Sequence, residues 1–280
     1  MRKAYRGTVA VDGLDLAMDQ GEVLSLLGPN GAGKTTTVEI LEGYRRRDAG
    51  EVRVLGEDPE RAGRAWRARR GIVLQSNEDV VDLTVAECVG HFASFYPRPA
   101  PPAEVIERVG LTTKAGAYVR SLSGGQRRRL DVALGIVGRP ELVFLDEPTT
   151  GFDPEARRQF WDVVRDLTRE GTSVLLTTHY LEEAEALADR VAVVNLGRVV
   201  ATGRPSELGG RQEAAAEVRW LGPGGWQRRT TERPTALVRE LEAAFGGEVP
   251  RLTVTRPSLE DVYLRLIGAG LPGAPEGAER

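Results

Sequence analysis

Five short apolar runs punctuate the chain: "EVLSLLG" (22–28), "GIVLQ" (71–75), "ELVFLD" (141–146), "SVLLTTH" (173–179) and "RVAVVNLG" (190–197). Each ends in turn-forming or polar residues. Continuous apolar runs of this length, rich in β-branched residues and leucine, belong to strands covered on both faces. The helical stretches between them predict a mainly parallel sheet. Helix starts fall where such a sheet needs them. Thr84 with Glu87 forms a capping box, and Asp153–Pro154 supplies an N-cap and a first-turn proline for "PEARRQFWDVVRDLTREG".

The start of the chain follows another rhythm. "TVAVDGLDLAMDQGEVLSLLG" and "AGEVRVLGEDP" alternate and turn as antiparallel strands do, which predicts a small β-subdomain beside the parallel core. Residues 82–140 are mostly helical in pattern, broken by "YPRPAPP", and read as a helical subdomain inserted between the "GIVLQ" and "ELVFLD" strands. After about residue 205 the pattern changes again. "AAEVRWL", the turn "GPGG", "WQRRTT", the helical "TALVRELEAAF", the strand-like "RLTVT" and the capped helix "SLEDVYLRLIG" read as a small α+β module over 206–268. The final "AGLPGAPEGAER" (269–280) is too rich in Gly, Ala and Pro to pack and is expected to be a disordered tail. The fold class is α/β, with one large domain over 1–205.

Composition narrows the functional classes. A chain of 280 residues can bury one substantial core and a smaller module. A net charge of -3 argues against a partner bound by bulk positive charge, so nucleic acid is not expected. The single cysteine, Cys88, forms no internal disulfide and fits packing in a reducing cytoplasm. No apolar run approaches the ~18 to 20 residues of a membrane helix, and "MRKAYRGTVAVDG" has no signal-peptide core. The expectation is a chain that neither spans a membrane nor carries a cleavable signal.

The strongest chemical signal is Gly28-Pro29-Asn30-Gly31-Ala32-Gly33-Lys34-Thr35, followed by Thr36, which fits G-x-x-x-x-G-K-T after a strand and at the start of a helix. The glycines let backbone N–H groups curl round phosphates, Lys34 neutralises the β- and γ-phosphates of a nucleotide, and Thr35 offers a hydroxyl to Mg²⁺. "ELVFLDEP" closes an apolar strand with two carboxylates, of which Asp146 would hold Mg²⁺ and Glu147 would polarise an attacking water. Alone that pair is weak evidence, because strands also end in acidic turns and caps. Ser123-Gly124-Gly125-Gln126 opens the helical "RRRLDVALGIVG" and has two readings of equal weight, an anion-gripping helix end and an ordinary N-cap with two flexible glycines. Arg127, Arg128 and Arg129 read as a partly solvated face.

The phosphate loop, "LSGGQ", "LVFLDEP", "TTGFDP" and "TTHYLEEAEALADRV" stand in the order and approximate spacing of ATP-binding-cassette ATPases, which the sequence resembles from roughly residue 3 to 205. The resemblance implies that two cassettes pack head to tail, each ATP lying between one subunit's phosphate loop and the other's signature helix. A second cassette is therefore an expected partner, most simply another copy of this chain. Position by position, Gln75 resembles the loop glutamine that touches Mg²⁺ or the water, His179 the switch histidine at the γ-phosphate, and Asp153 the dimer-interface aspartate. Phe152 stands where the family usually has leucine, which predicts altered packing across that interface. Tyr5 falls at the spacing of the aromatic that stacks on adenine, whereas His91 fits no motif and reads as structural.

"LEEAEALADRVAVVNLGRVVATGRPSEL" and "RPSLEDVYLRLIG" resemble the drug-resistance type of cassette ATPase, known from daunorubicin-resistance exporters. That resemblance implies a peripheral protein on the inner face of the cell membrane, driving a separate integral-membrane permease with ATP and Mg²⁺. The rival readings are the ATPase of an importer or lipid-trafficking complex, and a soluble cassette ATPase without a transport role. The basic run "RAGRAWRARR" (61–70) reads as a connector rather than a lipid contact.

Overall fold

The computed structural model describes residues 1–73, 82–211 and 213–268; the expected tail, 269–280, lies outside the described residues. The chain divides into two compact units, Met1–Thr202 and Gly203–Arg280.

In the first unit the elements run β1 (Arg2–Tyr5), β2 (Thr8–Asp12), β3 (Val23–Leu27), α1 (Lys34–Leu41), α2 (Arg64–Arg67), β4 (Arg70–Val73), α3 (Val85–Ala93), α4 (Pro102–Arg108), α5 (Gly124–Ile136), β5 (Leu142–Asp146), α6 (Pro154–Arg169), β6 (Ser173–Thr178), α7 (Leu181–Leu187), β7 (Arg190–Asn195) and β8 (Arg198–Gly203). Among the described residues the main sheet has the order β4-β5-β6-β3-β7-β8. The pairs β4/β5, β5/β6, β6/β3 and β3/β7 are all parallel. Side-chain alternation along β5 shows why its run is apolar throughout. Leu142 and Phe144 enter one core with Leu24, Leu26, Leu175 and α1, whereas Val143 and Leu145 enter another with α3, α5 and α6.

The expected insertion between β4 and β5 carries α3, α4 and α5. Thr84 and Glu87 close the capping box of α3, the Glu87 carboxylate accepting from Thr84 N at 2.8 Å. In α6, Ala156, Phe160, Val163, Val164 and Leu167 form the buried stripe at helical spacing.

The small β-subdomain is thinner than its pattern suggests. β1 and β2 form an antiparallel pair, but 49–58 contributes only isolated bridges, Arg2 to Ala49 and Val54 to Glu57. The reason is local: Gly50, Leu55 and Gly56 all have positive φ, which turns the chain before a ladder can extend. Val52 and Val54 are nevertheless buried.

The second unit pairs β9 (Ala216–Gly222) between β10 (Gly225–Thr231) and β11 (Thr253–Thr255), both antiparallel to it. α8 (Pro234–Phe245) packs Leu237 and Leu241 against Val218 and Trp220, and α9 (Leu259–Gly268) starts at a Ser258–Asp261 capping box. Among the described residues no helix is long and apolar enough to cross a membrane.

Candidate active site

β3 delivers the chain into α1 through Gly28–Gly33. A Cβ on Gly28 would lie 2.3 Å from the Val194 carbonyl oxygen, and one on Gly33, at φ +99°, would lie 2.2 Å from that of Ala10. Strands β7 and β2 thus press directly on the loop, and only glycine fits at both places. α1 has no side-chain cap and no acidic residue in its first turn. Its leading N–H groups and positive dipole end are therefore offered to an anion.

Lys34, 6% exposed, donates from Nζ to the Gly28 and Pro29 carbonyls at 2.6 and 3.2 Å. Desolvation holds its ammonium below the ordinary lysine pKa, opposed by the nearby charges of Glu147 and Asp146. Thr35 is exposed on the first turn of α1 and Thr36 is half-buried beside it.

The acidic pair sits at the end of β5. Asp146 accepts a hydrogen bond from the Thr177 hydroxyl on β6. Glu147 has φ +45°, a conformation rarely adopted by a residue with a side chain. Two supports hold it there. Its N–H donates to both the carbonyl and the hydroxyl oxygen of Thr177 at 3.1 Å, while Arg128 donates from Nη2 to the Asp146 carbonyl at 2.7 Å and from Nε to that of Pro148 at 2.9 Å. Arg128 is 7% exposed and so departs from the partly solvated face expected of the three arginines, whereas Arg127 and Arg129 are half-buried. His179 Nδ1 lies 3.2 Å from Glu147 Oε1, and its ring packs on Tyr180 with centroids 4.1 Å apart. Lys34, Asp146, Glu147 and His179 are thus gathered at the ends of β3, β5 and β6, a cation, two carboxylates and an imidazole beside an open helix start.

The signature segment is organised differently. Ser123 Oγ accepts from Gln126 N at 3.3 Å and Gln126 Oε1 accepts from Ser123 N at 3.1 Å, a reciprocal capping box on α5. The N-cap reading is therefore realised within the chain, and it leaves the Ser123 hydroxyl hydrogen free to donate outward. A Cβ on Gly124 or Gly125 would meet nothing within 4 Å. Asp153 caps α6, accepting from Ala156 N at 2.7 Å. Phe152 is turned inward, 8% exposed and edge-on to Phe160 at 6.1 Å, so its bulk packs in the chain's own core.

Tyr5 lies on β1, whose partner β2 abuts Gly33; its ring has Arg45 at 5.2 Å and Lys3 at 5.5 Å, and its hydroxyl is buried without a hydrogen-bond partner. Gln75 lies outside the described residues. His91 packs edge-on against Phe92 and Phe95, away from these groups in its interactions. In the basic run, Trp66 is buried, and Arg69 forms a two-pronged ion pair with Glu141. Arg128 and Thr177 escaped sequence reasoning; the one signal for Arg128 is its place in register with the apolar stripe of α5.

An open phosphate-type loop facing a carboxylate pair on a parallel sheet defines a nucleotide-hydrolysing α/β protein. The ABC transporter family model matches residues 11–150. A daunorubicin resistance ATP-binding protein, DrrA3 of Streptomyces coeruleorubidus, is 42% identical over 95% of this chain and 93% of its own. The Nod factor export ATP-binding protein I of Paraburkholderia xenovorans is 38% identical over 96% and 95%. Among solved structures, the cbiO1 subunit of an ABC transporter complex from Clostridium perfringens superposes with a TM-score of 0.66 at 26% identity, covering 74% of this chain and 86% of that one. The chain belongs to the ABC transporter family, as an ATP-binding subunit that hydrolyses ATP.

Proposed function

We propose that the chain powers export: two cassettes close head to tail on ATP, hydrolysis reopens them, and the movement drives a separate membrane permease. The observation that carries the export reading is the extent of the likeness to the daunorubicin resistance protein, which runs through the second unit as well as the cassette. A drug, antibiotic or lipid-like molecule is the cargo class this supports. The chain would sit at the inner membrane face through its permease, with the unit after Gly203 as an accessory module.

The residue roles belong to the same proposal, and the geometry of the described residues supports them. The α1 N–H groups and Lys34 hold the phosphates, and Tyr5 stacks on the adenine. Glu147, aligned by the Thr177 and Arg128 contacts, takes the proton of the attacking water while His179 orients carboxylate and γ-phosphate. The donors near this point are hard oxygens, the Thr35 hydroxyl and the Asp146 carboxylate. That set fits Mg²⁺, which takes one or two protein oxygens together with substrate phosphates and water. Bound there, with Gln75 as a further donor, Mg²⁺ would offset phosphate charge. Ser123, Gly124, Gly125, Gln126 and Asp153 serve the partner cassette's nucleotide and the joint between cassettes. Glycines that meet nothing in their own chain support this reading, because they leave room for an outside group.

A tagged Glu147→Gln chain with Mg-ATP, recovered from detergent-solubilised membranes of its host, tests the assignment. Co-purification of a multi-spanning membrane protein in stoichiometric amount is expected. Recovery of soluble partners alone would overturn the exporter and leave the ATPase standing.

A further inference from the structure

One buried carboxyl of the first unit is not used by the site just described. Glu183, on the first turn of α7, is 0% exposed, and neither of its carboxyl oxygens has a well-formed hydrogen bond. Burial pushes its pKa up; the Thr178 and Thr149 hydroxyls and the Trp161 indole face it and draw it back, with a weaker pull from Arg157. Yet Thr149 Oγ1, Trp161 Nε1 and Arg157 Nε are themselves buried without a hydrogen bond. Acceptor and donors stand opposite one another, close enough to interact but short of well-formed hydrogen bonds. Interior polar groups in that condition are unfavourable, so any shift of the segments that closes the bonds is rewarded.

The segments concerned are those that carry the candidate chemistry. Thr178 and Glu183 flank His179, Thr149 lies within the loop from Glu147 to Asp153, and Trp161 and Arg157 belong to α6, which Asp153 caps. Arg157 also lies 4.9 Å over the Tyr180 ring that packs on His179, and its Nη1 is 3.6 Å from Glu182. A single carboxyl therefore faces the histidine turn, the acidic-pair loop and the following helix.

We propose that Glu183 is a positioning residue for ATP hydrolysis: by drawing the Thr149 hydroxyl and the Trp161 indole N–H into hydrogen bonds, it locks the His179 turn against the Glu147–Asp153 loop in the hydrolysing arrangement. This rests on the ATPase reading above. Glu183 acts through His179 and Glu147 and does not touch the phosphate loop, so it governs turnover and not nucleotide affinity.

The test is steady-state ATP hydrolysis by the full chain with Mg-ATP, alongside fluorescent-ATP binding and thermal melts, for Glu183→Leu, Glu183→Gln and Thr149→Val. Glu183→Leu and Thr149→Val are each expected to lower kcat about tenfold or more, with KM and nucleotide affinity within about twofold. Glu183→Gln, which keeps an acceptor oxygen, recovers part of the loss, and the Glu183→Leu/Thr149→Val double variant is no slower than Glu183→Leu alone because the two act as one unit. Should the leucine variant fail to fold, the near-isosteric Thr149→Val decides by itself. A folded Thr149→Val chain with kcat within about twofold of an active parent overturns this proposal alone, as does a loss of affinity that matches the loss of turnover. A parent chain that hydrolyses no ATP overturns the ATPase reading and this proposal with it.

Discussion

Helices α1 and α5 both begin at glycines, and their beginnings are built to opposite plans. At α1, Gly28 and Gly33 are forced by neighbouring backbone, no side chain caps the helix, and a buried lysine crosses the loop. At α5 the glycines meet nothing, and Ser123 and Gln126 satisfy each other's backbone. The first end is incomplete without an anion from outside. The second has its Ser123 and Gln126 N–H groups capped within its own chain, and offers the first-turn glycine N–H groups, a hydroxyl hydrogen and open space to a visitor. This difference suits the shared site proposed above: one end would hold the nucleotide tightly, and the other would meet it when a second molecule arrives.

The largest effect should come from the end that is incomplete. Lys34→Ala is expected to abolish ATP binding and hydrolysis, measured by fluorescent-nucleotide titration and phosphate release; retained hydrolysis would remove the site assignment altogether. Glu147→Gln separates chemistry from binding. It should keep nucleotide affinity and lower kcat by about 10²-fold or more, the usual scale for removing a general base.

Gly124→Ala probes the other plan. With open space for a Cβ, the melting temperature should hold, as should ATP binding by the isolated chain, while hydrolysis falls about tenfold through the partner's phosphates. Unchanged hydrolysis would make α5 an ordinary capped helix.

The smallest effect lies at the far end of α1 and concerns stability alone. Glu42, 5% exposed, has its carboxyl pushed up to about 7 by burial, partly offset by Arg70. Below the unfolded carboxylate pKa both states hold the proton and nothing changes. As pH rises from there to about 7, the unfolded chain releases the proton before the folded one does, so stability falls, by on the order of 3 kcal/mol at most, and levels off above that pH. Glu42→Gln should flatten this pH dependence of the melting temperature; an unaltered slope would assign it elsewhere.

Much of this was legible in the sequence, for physical reasons that differ by residue. The phosphate loop reads clearly because its glycines, lysine and threonine are consecutive and sit between a strand and a helix. The Thr84–Glu87 and Asp153–Pro154 caps read clearly because capping is local. Arg128 and Glu183 were not legible: each is charged, each lies in a run of like charges, and only the packing of distant segments buries it. The Glu147 backbone was equally hidden, since its positive φ is held by Thr177 and Arg128, far away in the chain. The extended reading of "AGEVRVLGEDP" failed because Leu55 adopts a positive φ that its residue type does not announce.

In the head-to-tail arrangement proposed above, the α5 end serves a second molecule's nucleotide. Light scattering of Glu147→Gln and of Glu147→Gln/Gly124→Glu, each with Mg-ATP, tests it most directly. The first should scatter with about twice the chain mass and the second with the single-chain mass, with equal ATP binding by both. Equal masses for the two, at either value, would contradict it.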